Sequence, residues 1–296
     1  MDFRQHPIKR EIEIEGFHSI YYFEFDKDFY YLPEKYDFWV MTYCDMGKII
    51  SIADGVAQTV EQGQLVFNPP NEVHAHVSNK VDPNNMLIVA FSCHSPAMEF
   101  FEHKTFTLGK TEKTLLSLFA KTAREALGKL PGDYYNRDPL DFTDAPVGTM
   151  QLLECYLTEL LLLLLRGGDE ASYSTPLAGE ASRELVQSSL AEMIVSYLRE
   201  NVRNTVTLSD LCDRFFMGKS GLYKLFDEHL GQSPMEYFAA LKIAEAKRLL
   251  RHGELSVGAI SDMLSYSSIH NFSRAFKNAT GVSPMDYRKK SVHREE

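Results

Sequence analysis

The chain has 296 residues, of which 44% are hydrophobic and 24% charged. That balance supports a packed core and excludes a wholly disordered or fibrous protein, and the length fits two domains of ~100 to 200 residues each. The formal charge of −10 argues against a uniformly basic nucleic-acid binder, but it is unevenly spread: residues 189–296 hold 15 Lys and Arg against 13 Asp and Glu, a net of +2, whereas residues 1–188 hold 16 against 28, a net of −12. Such asymmetry is expected where one part of a chain faces nucleic acid.

Cys44, Cys93, Cys155 and Cys212 lie far apart with no CxxC pair, so neither a zinc ribbon nor a disulfide framework is predicted, and the compartment is expected to be reducing. The opening stretch MDFRQHPIKREIEIEGF has no apolar signal core, and the longest leucine run, residues 160–165, falls far short of the ~20 residues of a membrane span. A soluble cytoplasmic protein is expected.

Residues 16–93 read as short strands, HSIYYFEF, DFWVMTY, KIISIA, QLVFN and MLIVAFS, rich in β-branched and aromatic residues. Turn signals separate them: Pro33, Asp54-Gly55, Gln62-Gly63, Pro69-Pro70-Asn71 and Pro83-Asn84-Asn85. Many short strands at close spacing imply a sandwich or barrel. Residues 111–127 switch to helical period, with Leu115, Leu116, Leu118, Phe119 and Ala123 on one broad side. Residues 131–147 are too rich in Pro and Asp for a regular element. A second helix is predicted over 148–166; it is apolar on more than one face and so needs cover on several sides, either from its own domain or from a second subunit meeting Leu153, Leu157, Leu160 and Leu164. Residues 167–188, opening with paired glycines and containing Pro176, have the composition of a connector.

The last hundred residues contain an internal repeat. Residues 222–237, LYKLFDEHLGQSPMEY, align without a gap on residues 272–287, FSRAFKNATGVSPMDY, at an offset of 50. Upstream, Leu208, Leu211 and Phe215 match Val257, Ile260 and Leu264 at an offset of 49, which places one extra residue in the second copy's turn. Each copy predicts a capped helix, a tight turn and a second helix stopped by glycine, with Thr207 or Ser209 and Ser256 as first starts and Ser233-Pro234 and Ser283-Pro284 opening the helices that follow. This is a helix-turn-helix, twice. A helix over 234–251 between the copies would be ~27 Å long, close to the ~34 Å that separates successive major grooves on one side of B-DNA. A duplicated helical bundle that binds nothing is the alternative; the basic residues Lys219, Lys224, Arg274 and Lys277 on or beside the second helices count against it.

On these residues, 189–290 resemble the DNA-binding domain of the AraC/XylS family of bacterial transcription regulators, with AISDMLSYSSIHNFSRAFKNATGVSPMDY at 259–287 following the family signature. Ser265 stands where the family usually has Gly. The resemblance implies that the second helix of each copy enters the major groove and that Ser220, Tyr223 and Lys224 in copy one and His270, Asn271 and Arg274 in copy two face the bases. Arg274 suits guanine and Asn271 adenine; the copy-one trio is less decisive, serving bases or phosphates alone.

Residues 63–78, GQLVFNPPNEVHAHVS, resemble the second motif of cupin barrels, with Asn71 and Ser78 replacing the usual Gly and Asn. His74 and His76 would share a strand face. No histidine occurs between His18 and His74 to complete a metal set, so neither metal nor other cofactor is expected. His74 and His76 are candidates to hydrogen-bond a small organic effector, with a rim histidine as the bland alternative; Trp39, the one tryptophan, would stack on a sugar ring or simply pack in the core.

The expected fold is therefore α+β: a cupin-like β-barrel with following helices over 1–166, a linker over 167–188, and an all-α domain of two helix-turn-helix units over 189–296. The expected function is a ligand-responsive, sequence-specific DNA-binding regulator rather than an enzyme, an activator of carbohydrate-metabolism genes. Its expected partners are double-stranded DNA, a small-molecule effector such as a sugar, RNA polymerase and a second copy of itself, with no membrane. The competing reading is a cupin-fold enzyme or small-molecule-binding protein with an appended helical domain.

Overall fold

The computed structural model describes residues 4–128, 130, 132, 139–167, 173–174, 179–252 and 255–292. The chain divides into two compact units, Met1–Val186 and Gln187–Glu296.

In the first unit the strands are β1 (Gly16–Phe25), β2 (Tyr30–Glu34), β3 (Trp39–Met46), β4 (Lys48–Ala53), β5 (Val56–Glu61), β6 (Gln64–Asn68), β7 (His74–Ser78), β8 (Asn84–Ser92), β9 (Thr105–Thr107) and β10 (Tyr173–Ser174). They form two antiparallel sheets, β1-β8-β3-β6-β9-β10 and β2-β7-β4-β5. Among the described residues no ladder joins one sheet to the other, so the closed barrel expected from the sequence is replaced by two facing sheets. Register shifts at Phe17/Ser19, Tyr31/Glu34 and Cys44/Met46 interrupt the ladders within each sheet without ending them.

Strand β3, WVMTYCDM, shows how the layers are made. Its side chains alternate with period two. Trp39, Met41 and Tyr43 enter a core shared with Leu65, Phe67, Leu87, Val89 and Phe91 and with two helices, α1 (Lys110–Leu127) and α2 (Thr149–Gly167). Val40 and Cys44 enter the opposite core, between the sheets, with Tyr21, Phe23, Tyr31, Ile49, Val60, Ile88 and Ala90. Both faces of the strand are thus buried. The same geometry settles the leucines of α2: Leu153, Leu157, Leu160 and Leu164 are all buried, packed on α1 and the larger sheet. They are core residues and offer no surface to a second subunit; the outward side of α2 carries Met150, Leu152 and Cys155 instead.

The connector expected over 167–188 falls partly outside the described residues. Its second half is helical, because α3 (Glu180–Glu200) has already begun, and Ser182 Oγ accepts from Ala57 N at 2.9 Å.

The second unit continues with α4 (Leu208–Arg214), α5 (Lys219–Leu230), α6 (Pro234–His252), α7 (Val257–Met263), α8 (Ile269–Thr280) and α9 (Pro284–Val292). Local chemistry sets most boundaries. Thr207 and Asp210 form a reciprocal capping box at α4, and Ser233 and Glu236 repeat it at α6. Ser256 and Ser283 each accept from the backbone N–H three residues on, and Gly231 and Gly281 end α5 and α8 at φ +65° and +78°, where a side chain would strain the backbone. Core residues repeat with the copies: Leu211, Phe215, Leu222 and Phe226 in one, Ile260, Leu264, Phe272 and Phe276 in the other, all buried.

Lys242, buried in the middle of α6, braces the copies together. Its ammonium donates to Asn204 O at 2.9 Å, before α4, and to Leu264 O at 2.6 Å, at the end of α7. Burial pulls its pKa down. Nearby, Ser265 Oγ donates to Arg203 O at 2.6 Å, while Glu245 binds both Arg203 and Arg248, and these hydrogen bonds, with Arg248's first, hold its carboxyl down at about 2.

Candidate nucleic-acid interface and ligand cavity

Between the two sheets of the first unit lies a cavity of about 160 Å³ lined by His18, Tyr21, Tyr31, Tyr36, Phe38, His74 and His76 among others. The rings are ordered. Phe38 is stacked between His18, at 3.9 Å, and Tyr36, at 4.7 Å. His76 Nε2 lies 3.1 Å from Thr42 Oγ1, whereas its Nδ1 is buried with no partner; His74 Nδ1 donates to Glu72 O at 3.3 Å. Desolvation pushes the His76 pKa down to about 3 and lowers that of His74 as well. Both imidazoles are therefore neutral at pH 7. Because the unfolded chain takes up these protons near pH 6.5 and the folded one does not, stability falls as pH drops from about 6.5 towards 3, by up to ~1.4 kcal/mol per pH unit for His76.

His74 and His76 thus meet at one cavity, as their alternation predicts. Trp39 does not join them: it is buried on the other face of β3, in the core against the helices. An odd position in a strand whose even positions face the cavity cannot reach it. Tyr31, Tyr36, Phe38 and His18 were not singled out by the sequence, although the aromatic alternation of Tyr36 and Phe38 hints at a common face. Among the described residues no cluster of three or more His, Cys, Asp or Glu could hold a metal ion.

In the second unit, α5 and α8 each turn a polar face outward. Lys219, Ser220, Tyr223 and Lys224 are exposed on α5, and His270, Arg274 and Lys277 on α8, with Asn271 half-buried at its first turn. Apolar residues at helical spacing hold each helix down: Leu222, Leu225 and Phe226 beneath α5, and Phe272 and Phe276 beneath α8. The base-facing candidates of copy two are already linked. Ser268 Oγ accepts from Asn271 N at 3.2 Å, Asn271 Nδ2 donates to Ser267 Oγ at 2.8 Å, and Arg274 donates to Asn271 Oδ1 at 3.3 Å.

A helix-turn-helix domain model matches residues 211–290, which span both copies. The raffinose operon transcriptional regulatory protein RafR of Pediococcus pentosaceus is 39% identical over 97 residues, 33% of this chain and 35% of that protein. The transcriptional activator RhaS of Pectobacterium carotovorum subsp. carotovorum is 28% identical over 105 residues, 36% of this chain and 38% of that one. The C-terminal unit is an AraC-type helix-turn-helix domain. A solved transcriptional regulator with an AraC-type DNA-binding domain from Chromobacterium violaceum is 23% identical, covering 35% of this chain and 93% of that one at a TM-score of 0.34. This chain spans little more than a third of the length of the curated relatives RafR and RhaS.

Within the AraC-type domain, α6 runs 19 residues, ~28 Å at 1.5 Å per residue, as a continuous rod between the copies. Among the described residues of the whole chain, no helix is long and apolar enough to cross a membrane.

Proposed function

We propose that the chain is a ligand-responsive, sequence-specific DNA-binding transcription regulator. The observation that carries this reading is the duplication itself: two capped helix-turn-helix copies, joined by one rod, each with a second helix whose outer face is polar and free of core duty. On this reading Ser220, Tyr223, Lys224, His270, Asn271 and Arg274 face the groove, with residues 189–296 as the DNA-binding domain and residues 1–166 as a cupin-like sensor and dimerisation domain. RafR, a raffinose operon regulator, supports a role at carbohydrate-related genes, RhaS, a transcriptional activator, supports activation, and activation would engage RNA polymerase. A homodimer would pack on the outward side of α2, where Met150 and Leu152 are exposed.

The effector would occupy the cavity between the sheets. His76 Nδ1, buried and unpartnered, supplies a fixed polar contact, and the stacked Tyr36, Phe38 and His18 supply ring faces suited to a small neutral, ring-shaped molecule such as a sugar.

A binding-site selection with the full chain tests the first part. The expected result is a defined sequence whose affinity falls steeply with salt; equal binding to all duplexes, or none, sinks it. A thermal-shift screen of the full chain against neutral sugars tests the second, because a ligand that binds only the native state raises its melting temperature. The shift should vanish in His76→Phe, which fills the cavity without adding charge.

A further inference from the structure

A second cavity, of about 190 Å³, opens in the first unit and shares no lining residue with the first. Its wall is built from β4, β5 and β6, the turn after β6 and the approach to β9, and it includes Ser51, Gln58, Asn68, Glu72 and His103. Ser51, Asn68 and Glu72 are all at least 95% buried. Each leaves one polar atom without a hydrogen-bond partner: Ser51 Oγ, Asn68 Oδ1 and Glu72 Oε1. Buried polar groups in folded proteins are almost always satisfied, so three open polar atoms around one cavity mark it as a polar binding site.

The open atoms also define what the cavity suits. Asn68 Nδ2 donates to Glu72 Oε2 at 2.9 Å, which fixes the amide so that its carbonyl oxygen remains open, and Glu72 Oε1 faces only His103 Nδ1, at 3.5 Å. Two of the three open atoms can only accept, and Ser51 Oγ can do so too. Charge points the same way. Asp54 on the β4–β5 turn and Glu102 act on Glu72 as like charges, and His103 is the basic group set against them. One carboxylate, one amide oxygen and one hydroxyl around a single cavity suit a singly charged cation that carries its own hydrogen-bond donors.

We infer that the second cavity binds a small molecule through a primary ammonium group, whose three N–H donors and single charge answer Ser51 Oγ, Asn68 Oδ1 and Glu72 Oε1. The apolar wall supplied by Ala53, Val56 and Val66 takes the short carbon chain behind it. Burial raises the pKa of Glu72, chiefly through desolvation, and a bound cation would draw it back down, so ligand and ionised carboxylate stabilise one another. The site shares no lining residue with the cavity at His76, although Glu72 O accepts from His74 Nδ1 there.

Trp39 makes the test specific, because the chain's one tryptophan is buried in this unit and its fluorescence follows this unit's unfolding alone. The full chain is melted at pH 7 with putrescine or ethanolamine and, at matched millimolar concentrations, with their neutral counterparts 1,4-butanediol and ethylene glycol. The amines should raise the Trp39 transition and the diols should not. Glu72→Gln should abolish the response, and Ser51→Ala should weaken amine affinity about tenfold. Neither variant should melt far below the parent without ligand, since Ser51→Ala removes a buried unpartnered hydroxyl and Glu72→Gln keeps an oxygen to accept from Asn68 Nδ2. The response should also fade on acidification as Glu72 takes up a proton, with Asp54, Glu102 and His103 the other ionisable groups that act on it. Equal shifts from amines and diols, no shift from either, or an amine shift that survives Glu72→Gln would each overturn the assignment.

Discussion

Aligned on one another, the two helix-turn-helix copies present different chemistry on one backbone. Helix α5 carries Lys219 and Lys224 against Asp227 and Glu228, whereas α8 carries Arg274 and Lys277 with no acidic side chain at all. Lys224 is drawn towards Glu228, at 3.7 Å, while Arg274 leans on the neutral amide of Asn271. Their starts differ too: Ser268 caps α8 through its side chain, but α5 begins at Gly218, which has none. A duplicated fold therefore need not duplicate its task. On the proposed reading, copy two has the net charge, the fork-shaped donor and the ordered first turn for base reading, and copy one has the weaker field for positioning on phosphates.

The largest test of that contrast is Arg274→Ala. Its guanidinium lies on the exposed side of α8, opposite Phe272 and Phe276, so truncation should leave the core intact and cost ~1 to 3 kcal/mol on the specific site, flattening the preference at one or two base pairs. Lys224→Ala should instead weaken all sequences alike and reduce the salt slope by about one unit. Binding-site selection on both variants reads the outcome. If Arg274→Ala keeps the full preference and Lys224→Ala loses it, the two copies have exchanged roles.

How much of this was legible in sequence depends on how local each signal is. The caps at Thr207, Ser233, Ser256 and Ser283 could be read because a cap is decided within four residues. Pro33 hides strand β2 from a sequence reading because proline signals a turn; among the described residues β2 pairs only with β7, at the edge of its sheet, which is where a strand tolerates proline. The leucines of α2 could not be divided between core and interface until the sheet beneath them was placed. Neither cavity was legible as a whole, because His18, Tyr36 and His76, or Ser51, Asn68 and Glu72, are brought together only by strand order. Only the histidine pair on β7 was close enough in sequence to betray its face.

The next contrast lies in the capping of the second helices. Ser268→Ala removes the hydroxyl that accepts from Asn271 N and should cost ~1 kcal/mol in the unfolding of the C-terminal unit, followed by far-ultraviolet circular dichroism. A loss of DNA affinity beyond that of a folding defect would show that the cap also sets the pose of Asn271. An unchanged midpoint would show that Ser267 or water replaces the cap.

The tight turns offer a subtler comparison, since Phe216 and Ser265 occupy equivalent positions and both are left-handed, at φ +51° and +52°. That conformation strains any residue with a Cβ, by ~1 to 2 kcal/mol. At Ser265 the strain is offset by the bond to Arg203 O, and at Phe216 the ring is about half exposed, 47%, so packing compensates only in part. Phe216→Gly should therefore raise stability by about 0.5 kcal/mol after the added freedom of the unfolded chain is counted, while Ser265→Gly should leave it level or lower it. Equal gains at both would mean that the Ser265 hydrogen bond contributes nothing net.

Smallest of all should be the effect of giving copy one the cap it lacks. Gly218 sits at φ −73° and ψ 152°, an extended conformation open to any residue, and a Cβ built there meets no atom within 4 Å. A serine would thus fit without strain and could accept from the backbone N–H groups of the first turn of α5, as Ser268 does in copy two. Glycine is already a fair cap, so Gly218→Ser should gain only a few tenths of a kcal/mol. The informative readout is DNA binding rather than melting. If the weaker reading by α5 reflects a loosely held first turn, where Ser220 lies, the variant should sharpen sequence preference along with the small gain in stability. If preference is unmoved while stability rises, the difference between the copies resides in charge, in the Asp227 and Glu228 that offset Lys219 and Lys224 in α5, and not in order.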